Sequence, residues 1–305
     1  MPTAFRGATP YCYANSLAMV LDADAPSPSA IEVLTGSPFG AQIEGGLPYF
    51  DPLGWNPDLG LDQAIGLLGW TCRRSTGGTP DEAVARLRQA TERGPALAGP
   101  VDVGLLLHQP WSTGNPNGGD HWVAVLGVDE STVLFHDPAG FPYATLPIDA
   151  FVAAWQEQLP DCAGPFTMRS DFRRTEGVDV STALRRSLPA ASGWLTGQHS
   201  GPGRSLKDGG AAAVERLADD VQAGLEARTL THLTEFAIRV GTRRLADASL
   251  WLAEIGETRA ADVAERQARL LGSVQYGLVV GDTQSAASAL RQLAAGYEEL
   301  GVVLA

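Results

Sequence analysis

The chain has 305 residues, 35 acidic against 22 basic side chains, a formal charge of −13 and 44% hydrophobic content. Such a charge argues against nonspecific binding to nucleic acid or to an anionic membrane, because both need basic surface. With a mean hydropathy of −0.04, the chain reads as globular and long enough to bury one large core or two modest ones without staples.

The opening Met1-Pro2-Thr3-Ala4-Phe5-Arg6-Gly7 holds no apolar run of signal-peptide type, and no later run reaches membrane-spanning length. Cys12, Cys72 and Cys162 have no metal-ligand spacing and make a poor disulfide framework. The expectation is a cytoplasmic protein with reduced thiols, no metal and no cofactor. Lys207 is the single lysine; arginines gather at Arg73-Arg74, Arg169 with Arg173-Arg174, Arg185-Arg186 and Arg243-Arg244. Such groups read as solvated surface.

In chain order, the first feature is Tyr11-Cys12-Tyr13-Ala14-Asn15-Ser16-Leu17-Ala18-Met19, where a turn-like segment feeds an apolar helix. A thiol in the first turn feels the positive end of the helix dipole, which favours the thiolate and makes the sulfur a nucleophile. Thr79-Pro80-Asp81-Glu82 combines a capping threonine, proline at the first helical position and glutamate three residues after the cap. It predicts a helix to about Arg93, stopped by Gly94-Pro95. Apolar stretches at Ala96–Leu107, His121–Val128, Thr132–Asp137 and Pro165–Ser170 read as strands of a mainly antiparallel sheet, with a helix over Pro147–Gln156.

Two of those strands flank Asp129-Glu130-Ser131, a hairpin turn. Antiparallel pairing about that turn places position 121 opposite 137 to 139, so His121 and Asp137 become neighbours at the open end. Strand alternation sends His136 to the other face, where it reads as a packing or surface residue. A carboxylate also orients an imidazole better than a second histidine does. His108, His199 and His232 have no carboxylate at strand register and read as structural or exposed.

Beyond about residue 208 the chain turns Ala-rich, Leu-rich and nearly free of proline. The expected organisation is a catalytic domain over 1–175, a Gly-rich linker over 176–208 with a short helix at Ser181–Ser187, and a helical bundle over 209–305. Val214, Leu217, Val221 and Leu225 follow helical spacing, as do Leu290, Leu293, Tyr297 and Leu300, with helices between them at Leu230–Ile255 and Thr258–Val280. The fold class is α+β, an antiparallel-sheet domain followed by an all-α bundle.

Cys12, His121 and Asp137 thus supply nucleophile, general base and orienter. Their order, with Gly119-Asp120-His121-Trp122-Val123 and Val133-Leu134-Phe135-His136-Asp137-Pro138, resembles the papain-like cysteine-enzyme fold. More narrowly the chain resembles the family named for the butirosin biosynthesis protein H. That likeness extends through Leu61–Trp70, a strand at Thr71–Arg74, and the helical segment Leu233–Arg244. It implies acyl transfer from a carrier-protein thioester, or another acyl thioester donor, to a small-molecule amine of a natural-product intermediate through an acyl-enzyme on Cys12. One departure is Arg6, where papain-like proteases carry an oxyanion-hole glutamine six residues before the cysteine. The hole would then rest on the Cys12 N–H plus a second donor, with Asn15 and Arg6 as candidates.

Leu47–Trp55 and His108–Asn117, rich in aromatics, proline and glycine, are candidates for walls or a lid that excludes water. The bundle is a candidate for capping the site, docking a carrier protein or forming a homodimer. A papain-like peptidase or amidase would use the same three residues with water as acceptor. A non-catalytic accessory protein of the same fold is the reading from a different class.

Overall fold

The computed structural model describes residues 10–159, 163–199 and 205–305. The chain divides into two compact units, Met1–Ile31 with Asn56–Gly177, and Glu32–Trp55 with Val178–Ala305. In chain order the elements begin with α1 (Cys12–Leu21), α2 (Pro28–Leu34), β1 (Gln42–Glu44), β2 (Leu47–Tyr49) and α3 (Pro57–Leu67). There follow β3 (Trp70–Ser75), α4 (Pro80–Thr91), β4 (Ala96–Asp102), β5 (Asp120–Val128), β6 (Thr132–Asp137), β7 (Phe141–Pro147), α5 (Ile148–Trp155) and β8 (Met168–Arg174). Helices α6 (Val180–Leu195), α7 (Gly210–Ala223), α8 (Ala227–His232), α9 (Ile238–Glu254), α10 (Thr258–Val280) and α11 (Thr283–Val303) complete the chain. The class is α+β, as the sequence predicts.

The first unit is built on a six-stranded antiparallel sheet in the order β3-β8-β4-β5-β6-β7. One face of its central strands buries Ala98, Val101, Val123, Val125, Val133 and Phe135 with Ala83, Leu87 and Ala90 of α4 and Phe151 and Trp155 of α5. Helix α4 starts where the sequence places it: Thr79 Oγ1 accepts from the Glu82 N–H while Glu82 accepts from the Thr79 N–H. Helix α1 is apolar on nearly every side, and its residues Tyr13 to Leu21 are all buried. It is tied to β5 where Ser16 Oγ donates to the Trp122 carbonyl at 2.9 Å and where Tyr13 meets the Trp122 ring edge-on. Glycine is required at position 99, because a Cβ there would lie 2.5 Å from the Trp122 ring.

In the second unit, α10 packs against α9 and α11, and α7 packs against α11. Leu217, Val221, Leu245, Leu271, Leu290 and Leu293 lie in its core, and so does Phe50 from the earlier segment. A Cβ on Gly241 would sit 2.5 Å from Phe50, so the absence of a side chain there lets α9 approach that ring. Helix α10 has the bounds expected from its spacing. Between α8 and α9 the chain widens into a π-helical turn over Leu233–Ala237, and the Thr234 carbonyl accepts from Gln275 Nε2 at 2.9 Å.

The segment after Gly177 differs from the expected linker with one short helix. Helix α6 runs for 16 residues from an Asp179 cap, through Pro189 and Gly193, to Leu195. Gly193 leaves the space that the His199 ring fills. Apolar burial of Ala183, Leu184 and Ala191 keeps a helix together that its proline and glycine disfavour.

Candidate active site

Cys12 is the first residue of α1, and the capping position before it, Tyr11, offers no side-chain hydrogen bond to the helix end. No hydroxyl or carboxylate at the cap therefore competes with the Cys12 sulfur for the positive end of the dipole. The thiol is half-buried. Its sulfur lies near enough to the ring of His121 to raise the pKa of that imidazole.

His121 enters from the start of β5 and Asp137 from the end of β6. The observed register pairs Ala124 with His136 and Val125 with Phe135, which projects position 121 opposite 139, inside the predicted range. Asp137 lies on the same face, and its Oδ1 accepts from His121 Nε2 at 2.7 Å. With Nε2 committed to the carboxylate, Nδ1 is the ring atom left for Cys12. His136 is fully buried on the other face, where its Nδ1 accepts from the Tyr143 N–H at 3.0 Å.

The electrostatics favour a charged imidazole. Burial opposes the charge on His121, but the Asp137 carboxylate and the Cys12 sulfur outweigh it and lift the pKa to about 10. Burial likewise opposes ionisation of Asp137, and the His121 charge, hydrogen bonds from His108 and His121, and the Ala139 N–H hold it far below the usual carboxylate range. A thiol beside an imidazolium held by a carboxylate has next to it the positive charge and the proton donor that a cysteine nucleophile uses.

Asp137 has further partners that strand arithmetic missed. Its Oδ2 accepts from His108 Nε2 at 2.7 Å and from Gln109 Nε2 at 2.6 Å. His108 therefore has a carboxylate partner, contrary to the expectation drawn from strand register. Strand β4 ends at Asp102, short of the predicted Leu107, and the chain folds back through a short 3-10 turn at Val103–Leu105. The Asp102 carboxylate secures this loop by accepting from the N–H groups of Gly104, Asn117 and Gly118. A carboxylate at a strand end followed by Asn and Gly was the available signal; periodicity carries none for loop residues.

The expected oxyanion-hole donors are engaged elsewhere. The Cys12 N–H donates to the Pro10 carbonyl at 2.8 Å, and Asn15 Nδ2 donates to the Tyr11 carbonyl at 2.7 Å. Arg6 lies outside the described residues, as does Cys162. Cys72 is no rival nucleophile: burial pushes its thiol up to about 11 despite Arg169 nearby. Among the described residues no group of His, Cys, Asp and Glu is arranged to hold a metal ion.

Of the two candidate wall segments, His108–Asn117 belongs to this site. It presents Trp111 to solvent, as the chain just before it presents Leu107, and Trp111 meets Phe141 at 5.5 Å between ring centroids. Leu47–Trp55 lies in the second unit, where Phe50 and Trp55 are buried.

Fold and site together define an α+β protein in which a cysteine stands beside a histidine that is hydrogen-bonded to an aspartate. Residues 205–305 match the model of the YobF C-terminal domain family. Over 246 residues the chain is 29% identical to the uncharacterized protein YobF of Bacillus subtilis (strain 168), covering 79% of this chain and 78% of that one. No helix among the described residues is long and apolar enough to cross a membrane.

Proposed function

We propose that this protein is a cysteine-dependent acyltransferase that moves an acyl group from a thioester, carried by an acyl carrier protein or another thiol, to a small-molecule amine. The carrying observation is that the helix-end thiol of Cys12 stands beside His121, whose ring Asp137 holds at 2.7 Å. The Cys12 thiolate attacks the thioester carbonyl, and a carbon–sulfur bond forms. The tetrahedral adduct collapses, the bond to the donor sulfur breaks, and the His121 imidazolium protonates the departing thiolate. The amine then attacks the acyl-enzyme, neutral His121 takes a proton from its nitrogen, and Cys12 leaves as thiolate, restoring the pair. Exchange of one thioester for another is nearly balanced, so selectivity rests on the second half-reaction and on excluding water there.

The resemblance to the butirosin protein H family supports the amide-forming direction and a role in natural-product assembly. A reduced Cys12 suits the cytoplasm. Neither nucleic acid nor membrane is a partner in this reading. Rapid-quench mass analysis of the protein with an acyl thioester and a panel of amines tests it. Amide product in excess of free acid supports transfer; hydrolysis alone, at every amine, assigns the site to a hydrolase.

A further inference from the structure

Asp137 is more heavily engaged than an orienting carboxylate needs to be. Its Oδ1 accepts from His121 Nε2 and the Ala139 N–H, each at 2.7 Å, and its Oδ2 accepts from His108 Nε2 and Gln109 Nε2. Four acceptor positions are about what a carboxylate has, so the group is saturated. Bonds on one oxygen alone would let the carboxylate swing about its side-chain axis and exchange oxygens at His121. Donors on the second oxygen block that swing.

The donors are themselves fixed. The His108 ring stands edge-on to Phe135 at 4.9 Å and to Phe141 at 5.3 Å between centroids. Gln109 is 2% exposed. Since an ionised carboxylate only accepts, the His108 nitrogen facing Asp137 carries a proton. His108 Nδ1 and Gln109 Oε1 are buried with no hydrogen-bond partner among the described residues. Both side chains thus give up hydrogen bonds elsewhere and direct their donors at one oxygen, which packing alone would not select.

We propose that His108 and Gln109 are positioning residues, which clamp Asp137 so that His121 stays aligned with Cys12 and keeps activating its sulfur. The inference rests on the Cys–His pair of the reading above but not on acyl transfer. Its test is the rate of Cys12 alkylation by iodoacetamide against pH, read by peptide mass so that Cys72 and Cys162 do not contribute. No acyl donor or amine is involved, so this test can succeed where the transfer test fails.

His108→Phe keeps a ring against Phe135 and Phe141 and removes the donor, whereas His108→Gln keeps an N–H donor. We expect His108→Phe and Gln109→Leu each to lower the alkylation rate between pH 5 and 6 by about tenfold. His108→Gln should recover most of that rate. Circular dichroism melts confirm folding of each variant, and either position alone decides the question if the other variant does not fold. A profile unchanged in the donor-deleted variants would overturn the proposal, as would a loss that His108→Gln does not relieve. A wild-type rate that follows the ordinary thiol titration would remove the pair and its clamp together.

Discussion

A buried carboxylate-centred cluster from each unit can be set side by side, and the two are built for different ends. In the first, Asp137 gathers His121, His108 and Gln109, and the series finishes at a half-buried thiol. In the second, Arg244 Nε donates to Glu32 and Nη1 to Asp51, both at 2.8 Å, with the guanidinium 5.3 Å over the Trp55 ring. Gln42 Nε2 and Ser37 Oγ donate to the same carboxylates, and Trp55 Nε1 donates to the Thr35 carbonyl. The first cluster contains an imidazole that can hand its proton to a reacting group and take one back; the second is centred on a guanidinium that keeps its proton. Buried charge marks chemistry only when a nucleophile and a titratable base stand at its open end, and otherwise it fixes one packing arrangement.

Substitutions can break that contrast, and the largest effect should come at the thiol. Cys12→Ala should lower turnover by roughly 10⁴-fold or more while leaving the thermal melt within a degree or two, since it removes a nucleophile rather than a core side chain. Asp137→Asn should lower the rate by about 10²- to 10⁴-fold. It should also move the alkaline limb of the acylation rate to lower pH: the carboxylate lifts His121 to about 10, and without it the imidazolium loses its proton sooner. The same linkage governs stability. The His121 contribution is complete below its unfolded value of about 6.5 and is lost as pH rises through about 10. The Asp137 contribution is present above the ordinary carboxylate range and is lost as pH falls through its depressed value.

Arg244→Met sharpens the contrast from the other side. It leaves Glu32 and Asp51 buried without their shared cation and should reduce stability by about 3–5 kcal/mol in denaturant titrations. The alkylation rate of Cys12 in protein that remains folded should not change. His136→Ala, which removes a ring from the face opposite Asp137, should alter the rate by less than about threefold. The smallest expected effect is Thr79→Ala, which breaks the capping box of α4 at about 1 kcal/mol.

Much of this was legible in the sequence, for identifiable reasons. The His121–Asp137 pair follows from strand alternation and one turn, and α10 from apolar spacing, because both depend on local periodicity. His108 and Gln109 were not legible, since a loop secured by Asp102 carries them to Asp137 without any period. Arg169 and Arg244 looked like solvated arginines, yet Arg169 is 1% exposed and bonds Asp58 and Asp62 of α3. Burial of an arginine depends on where carboxylates distant in sequence arrive, which no spacing rule reports. For the same reason nothing in residues 32–55 announced that they pack in the second unit.

Under the proposed function Cys12 takes up an acyl group. Intact-mass measurement after incubation with a panel of short and carrier-linked acyl thioesters tests it most directly. A single acyl adduct is expected on the wild-type chain, absent in Cys12→Ala and formed more slowly in Asp137→Asn. No adduct with any thioester, or an adduct that persists in Cys12→Ala, would contradict it.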